Sequence, residues 1–189
     1  MAVLGLDEVL RRVKEEGLLE NLGDRELNNP EGVGLDLRLG KVFKIVEGGA
    51  FIECDGEVGL GLRKGVKTEV LAEYKEGSKT QEEVIINPGD YYLVQTLETV
   101  NTPEDVMPMI YPRSSLFRAG LLLLNSKTDP GYKGSLTMGL KNLSEFDVKL
   151  QMGARICNMV FYKIEGKTVN YRGQHQGGRV SPHEAERQV

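Results

Sequence analysis

Residues 111–142 read YPRSSLFRAGLLLLNSKTDPGYKGSLTMGLKN, and this stretch organises the rest of the chain. A charged turn, Arg113-Ser114-Ser115, precedes an apolar run of four leucines, 121–124. A second turn, Asp129-Pro130-Gly131-Tyr132, leads into another strand-like run over 135–141. A cation, two hydroxyls and a carboxylate therefore sit at the ends of apolar strands. An arginine fork binds phosphate oxygens two at a time, and serine hydroxyls with turn amides add donors, so the layout suits an anionic ligand. Each residue also has a plainer reading. Arg113 can be a surface cation on a polar turn, Asp129 a turn former, Tyr132 a strand-end aromatic.

Outward from this stretch, the pattern is that of short strands. Leu35, Leu37 and Leu39 alternate with Asp36 and Arg38, the period of a half-buried strand. Asp36 there is either outward-facing and solvated or a site residue. Further strand-like runs fall at 41–46, 50–54, 66–74, 82–86, 91–97, 106–111, 121–125, 135–141, 148–151 and 155–164. Turn chemistry separates them, as at Asn87-Pro88-Gly89-Asp90 and Thr102-Pro103-Glu104-Asp105. Many short strands so spaced predict an all-β sandwich or a barrel-like roll. One amphipathic helix is expected over 6–17, where Leu6, Val9, Leu10 and Val13 share a face and Gly17 ends it. A single helical turn is expected at 114–118. The Gly-, Lys- and Glu-rich segment 56–78 reads as a long hairpin or insertion. The polar tail from 167 to 189 has little to bury and is expected to be mobile or ordered by a partner.

Composition bounds the function. The chain has 189 residues, enough for one domain with a real core, here placed at 1–166. Hydrophobic content of 40% and charged content of 28% are those of a soluble globular protein. No run approaches the roughly 18 apolar residues of a membrane span, and the acidic N-terminus is unlike a signal peptide; a cytoplasmic protein is expected. A net charge of −4 argues against nucleic acid as a partner. Cys54 and Cys157 are isolated, read as buried free thiols, and form no zinc motif. The two histidines, His175 and His183, both fall in the polar tail and read as solvated. No P-loop is present, nor the H-x-E with P-C-x-x-C pattern of zinc deaminases.

Five segments occur in order: Gly34-Leu35-Asp36-Leu37, Pro112-Arg113-Ser114-Ser115-Leu116, Asp129-Pro130-Gly131-Tyr132-Lys133-Gly134, Gly153-Ala154-Arg155-Ile156 and the tail Tyr171–Gly178. Together they resemble the trimeric dUTPase and dCTP deaminase superfamily from about Gly32 to Gly178. The resemblance implies a distorted β-barrel or jelly roll, a homotrimer with sites between subunits, and a tail that closes over a bound nucleotide. It implies that Asp129 is the catalytic carboxylate, orienting water and touching the deoxyribose, and that Tyr132 packs on the sugar. Arg113, Ser114 and Ser115 match the phosphate-binding motif. Asp36 matches an aspartate that bonds water around Mg²⁺, the implied cofactor. Asn158 stands where glutamine is usual, Arg118 is typical of the deaminase branch, and Arg172 and Gln176 belong to the closing tail. Asn125 and Ser126 offer polar groups in a base-reading hairpin about two residues shorter than in many members.

One departure divides the activities. In dCTP deaminases a glutamate that shuttles protons stands at the place of Gly139, and glycine has no proton to move. The expected reaction is therefore hydrolysis of dUTP to dUMP and pyrophosphate. The alternatives are dCTP deamination, alone or combined with hydrolysis, and a non-catalytic deoxynucleotide-binding regulator.

Overall fold

A computed structural model describes residues 2–56 and 61–188. In chain order the elements are α1 (Leu6–Glu16), β1 (Leu19–Glu20), α2 (Asp24–Asn28), β2 (Gly34–Glu47), β3 (Phe51–Ile52), β4 (Leu62–Lys64), β5 (Lys67–Glu73) and β6 (Glu83–Ile86). They continue with β7 (Tyr91–Asn101), β8 (Val106–Pro112), α3 (Ser114–Arg118), β9 (Leu121–Leu124), β10 (Lys133–Asn142), β11 (Val148–Gln151), β12 (Arg155–Lys163) and β13 (Glu186–Arg187). The main sheet runs β8-β12-β2-β7-β10-β9, with β1 added to β7 and β5 to β2, and curls into a nearly closed barrel of the expected all-β class.

β2 is the hub. Leu35, Leu37 and Leu39 are fully buried on its inner face, as the alternation requires. The runs expected separately at 34–39 and 41–46 are one strand, with a register irregularity between Leu39 and Lys41. That irregularity lets one strand pair with β12 at its start and with β7 and β5 further on. Behind it, Glu98 of β7 is fully buried and accepts two hydrogen bonds from Arg38, one from the backbone N–H and one from Nε, both at 2.7 Å. Burial pushes the Glu98 carboxyl up, and Arg38 opposes that shift. Such a pair, once made, is costly to break from one side.

α1 ends at Gly17 in the left-handed region, buries Val9 and docks by a bidentate Arg12–Asp105 pair at 2.8 and 2.7 Å. α2, whose five residues are too few to show a period, was not expected there; it buries Glu26. Segment 56–78, expected as a long hairpin or insertion, does not pair its own strands: β4 pairs with β3 and β13, whereas β5 pairs with β2. Residues 57–60 of that segment and Val189 of the tail lie outside the described residues. Cys157 is buried as expected, but Cys54 is exposed. Among the described residues no helix is long and apolar enough to cross a membrane.

Candidate active site

The Asp129-Pro130-Gly131-Tyr132 turn is closed by a hydrogen bond from the Tyr132 N–H to the Asp129 carbonyl, 3.2 Å. It is pinned to the start of the 102–105 turn by the Gly131 N–H on the Thr102 carbonyl, 2.8 Å, and by the Thr102 N–H on the Tyr132 carbonyl, 2.9 Å. The turn therefore delivers Asp129 outward and Tyr132 inward at the head of β10. Tyr132 is buried, its hydroxyl donates to the Ser135 carbonyl at 2.7 Å, and its ring meets Tyr171 edge-on at 5.4 Å. Burial, with Tyr171 beside it, raises the Tyr132 phenol to about 12, so it stays neutral across the physiological range.

The tail lies against the turn. The Tyr171 N–H donates to the Pro130 carbonyl and the Gly177 N–H to the Lys133 carbonyl, both at 2.7 Å. Gln176 spans the turn: its amide N donates to the Gly131 carbonyl and its amide O accepts from the Lys133 N–H, each at 3.0 Å. Gln95 of β7 donates to the Gly178 carbonyl at 2.6 Å. Gly134 has φ 141°, and the tail backbone at 177–178 lies where its Cβ would be, so only glycine admits the strap.

Between the turn, β7, β9, β10 and the tail lies a cleft of about 550 Å³. Its polar wall includes Asn125, Ser126, Lys127, Thr128, Asp129, His175 and Arg179. Its apolar wall includes Leu93, Leu124 and Met138, with Tyr91 and Gly139 on the same side. Lys127 Nζ contacts Asp129 Oδ1, and Arg179, itself paired with Glu186 at 2.5 Å, lines the same cleft together with His175. Thr128 Oγ1 is buried without a hydrogen-bond partner, so the wall carries an unused polar atom. Arg172 lines a neighbouring recess together with Asp129 and Arg63.

The remaining expected residues gather elsewhere. Asp36 and Asn158 are directly opposed on β2 and β12, and the Asn158 amide donates to Asp36 Oδ1 at 2.9 Å. Arg113 Nη1 and Arg155 Nη1 lie 2.8 and 3.0 Å from Asp36 Oδ2. Glu26 accepts from the Asp36 N–H at 3.0 Å and pairs with Arg25 at 2.6 Å. Three guanidiniums thus face two carboxylates, and Asp36 aims Arg113 and Arg155 instead of standing free. With both oxygens engaged, Asp36 has no free oxygen to ligate a metal directly, which leaves the water-mediated role implied by the resemblance as the one open to it. Among the described residues no cluster of three metal-type ligands occurs either. Asn158 likewise spends its amide on Asp36. Ser114, Ser115 and Arg118 are exposed on α3, next to this group.

The expected site residues therefore fall into two separate groups. Asn125, Asp129 and Tyr132 come together in the cleft; Arg113, Asp36 and Asn158 come together on the β8-β12-β2 side of the sheet; no residue of the second group lines the cleft. Sequence reading missed Tyr91, Lys127, Thr128, Tyr171, His175 and Arg179. Lys127 and Thr128 adjoin Asp129 and were within reach of a spacing argument. The others reach the cleft only through strand pairing or the fold-back of the tail.

Comparison with known proteins places these observations. Residues 3–164 match the family model described as dCTP deaminase-like. A dCTP deaminase of Pyrococcus furiosus is 34% identical over 167 residues, 88% of each chain. A protein of a Sulfurihydrogenibium species named dCTP deaminase, dUMP-forming, is 34% identical over 177 residues, covering 92% of this chain and 91% of its own. The crystal structure of a 2′-deoxycytidine 5′-triphosphate deaminase from Agrobacterium tumefaciens aligns with a TM-score of 0.60 at 20% identity, over 84% of this chain and 48% of that one, a likeness of fold.

Proposed function

We propose that this chain, which belongs to the dCTP deaminase-like family, acts on pyrimidine deoxynucleoside triphosphates in the cleft at Asp129 and forms dUMP by hydrolysis. The observation that carries this reading is the make-up of the cleft wall, where Asp129 is the carboxylate among the described lining residues and position 139 is glycine. A carboxylate on a rigid turn can orient a water toward the α-phosphorus and accept its proton. Lys127 and Arg179 line the same cleft and, on exchanging their carboxylate partners for phosphate oxygens, would offset charge there, while Tyr132 would offer its ring to the sugar. Arg113 and the α3 hydroxyls supply the remaining phosphate contacts from a neighbouring copy. Any magnesium enters on the triphosphate oxygens.

Deamination of dCTP is the second reading, and similarity favours it over hydrolysis of dUTP, because the curated relatives are named dCTP deaminase. Chemistry weighs the other way: adding water at the base and releasing ammonia needs a group that moves protons there, and Gly139 provides none. The name dUMP-forming, carried by one relative, joins both readings in one product. The deciding test is a panel of dUTP, dCTP, dTTP and UTP, scored for pyrophosphate and for ammonia. Pyrophosphate from dUTP without ammonia from dCTP is expected; ammonia from dCTP at a comparable rate would establish the second reading. Asp129→Asn is expected to lower pyrophosphate release by roughly 100-fold or more with an unchanged melting temperature. Full activity in that variant would remove Asp129 from the chemistry.

A further inference from the structure

Gly139 lies on β10 opposite Leu93 of β7, is buried, and faces the cleft. Its backbone does not demand glycine, because φ there is not in the left-handed region. What demands glycine is Tyr91. A Cβ at 139 would fall 2.6 Å from the Tyr91 hydroxyl oxygen and 3.0 and 3.1 Å from two ring atoms. Tyr91 itself is opposite Lys141, so its ring leans along the diagonal of the β7–β10 pair and covers position 139. The volume that a side chain at 139 would fill is thus filled by a phenol from the next strand.

That phenol is placed for recognition and not for structure. Among the described residues its hydroxyl makes no hydrogen bond. The neighbouring Tyr92 hydroxyl, by contrast, donates to Asp90 at 3.0 Å, and the Tyr132 hydroxyl donates to Ser135. Tyr91 is 38% exposed and lines the cleft together with Leu93, Leu124 and Met138 of the apolar wall. A flat apolar slot with one free hydroxyl at its edge fits a planar heterocycle with one polar edge group. A phenol hydroxyl donates to a ring carbonyl or accepts from a ring amino group by turning its hydrogen.

We propose that Tyr91 is the base-reading residue of the cleft, its hydroxyl bonding the exocyclic group of a pyrimidine, and that Gly139 is retained to admit its ring. This rests on the nucleotide reading of the cleft given above. Because the hydroxyl serves a carbonyl and an amino group alike, uracil and cytosine both engage it.

The test is calorimetric titration of the full-length protein with the nonhydrolysable imidotriphosphates of deoxyuridine and deoxycytidine, and with baseless 2-deoxyribose 5-triphosphate. Tyr91→Phe keeps the ring and removes only the oxygen. It is expected to weaken both base-bearing ligands roughly fivefold to tenfold while leaving the baseless ligand unchanged. Gly139→Ala, which displaces the flexible end of the Tyr91 side chain and leaves the strand intact, is expected to give the same selective loss. Equal affinities for the base-bearing ligands in wild type and Tyr91→Phe would overturn the role of Tyr91 and leave the nucleotide cleft standing. An equal loss for all three ligands would mark a structural effect and also overturn it. A wild-type protein that binds none of the three would overturn the nucleotide reading itself, and this inference with it.

Discussion

Thr102 and Thr128 bury hydroxyl oxygens that lack a partner, yet only Thr128 faces the cleft. A buried hydroxyl without a hydrogen bond costs stability, and an isosteric methyl removes that cost. Thr102→Val is therefore expected to stabilise the fold by about 1 kcal/mol, a rise of roughly 2–4 °C in melting temperature for a chain of this size. Thr128→Val is expected to show the same rise and, in addition, weaker binding of deoxynucleoside triphosphate, because the residue lines the cleft and a small rotation of its side chain brings the buried hydroxyl to the ligand. Thermal denaturation with and without nucleotide separates the two effects. Equal nucleotide-induced shifts in both variants would show that Thr128 takes no part in binding. Neither threonine stands out in sequence, since a threonine in a turn has the same local signature whether its oxygen is solvated or orphaned. Asp129 and Tyr132 did stand out, because their turn chemistry and spacing are local.

At the scale of elements, ionised carboxylates hold α1 in two ways: Glu8 braces the helix internally through Arg11 and Arg12, and Asp105 ties it to the barrel through Arg12. Hydrogen bonds from Arg11 and then Arg12 lower the Glu8 carboxyl from 4.5 to about 2, and the Arg12 guanidinium lowers Asp105. Both carboxyls are depressed in the fold, so their contribution is present above their ordinary pKa values and is lost as pH falls through the depressed ones. The protection of α1 amides against exchange, taken relative to their intrinsic rates at each pH, is accordingly expected to fall between pH of about 4.5 and about 2, ahead of the β2 core. Asp105→Asn is expected to exchange faster in α1 already at neutral pH and to respond less to acid. Added salt narrows the difference, because these groups are partly exposed. An α1 that exchanges identically in both proteins would show that its apolar face alone docks it. The helix itself was legible from Leu6, Val9, Leu10 and Val13; its anchor at Asp105 was not, since 93 residues separate the partners.

At the scale of the molecule, the proposed function joins two groups of residues that one chain keeps apart, and so predicts an assembly of copies. Arg113 with its Asp36 anchor and Asp129 with its tail lie in different parts of one chain. Around them Tyr111, Phe117, Leu122 and Leu124 expose apolar surface that an assembled form would cover. If each site is completed by a neighbour, two inactive variants rescue each other. Arg113→Ala and Asp129→Asn are each expected to be inactive alone. Refolded together at equal amounts, they are expected to recover about a quarter of wild-type activity, the fraction of shared sites built from two intact halves in a cyclic oligomer. Sedimentation analysis is expected to show a trimer. No recovery from a mixed oligomer would place the whole site within one chain.

The sequence by itself determined the strand-rich class, through the two-residue period at Leu35, Leu37 and Leu39 and the turns between strands. It also determined the carboxylate turn at Asp129 and the glycine at 139, because alternation, turn chemistry and residue identity are local. Only the tertiary structure decided that Asp36 is held by Arg113, Arg155 and Asn158, that the tail straps the turn through Gln176, and that Tyr91 occupies the space beside Gly139. Those contacts depend on strand register and on how far the chain folds back. Register arises from the packing of all strands together, and no short window of sequence contains it.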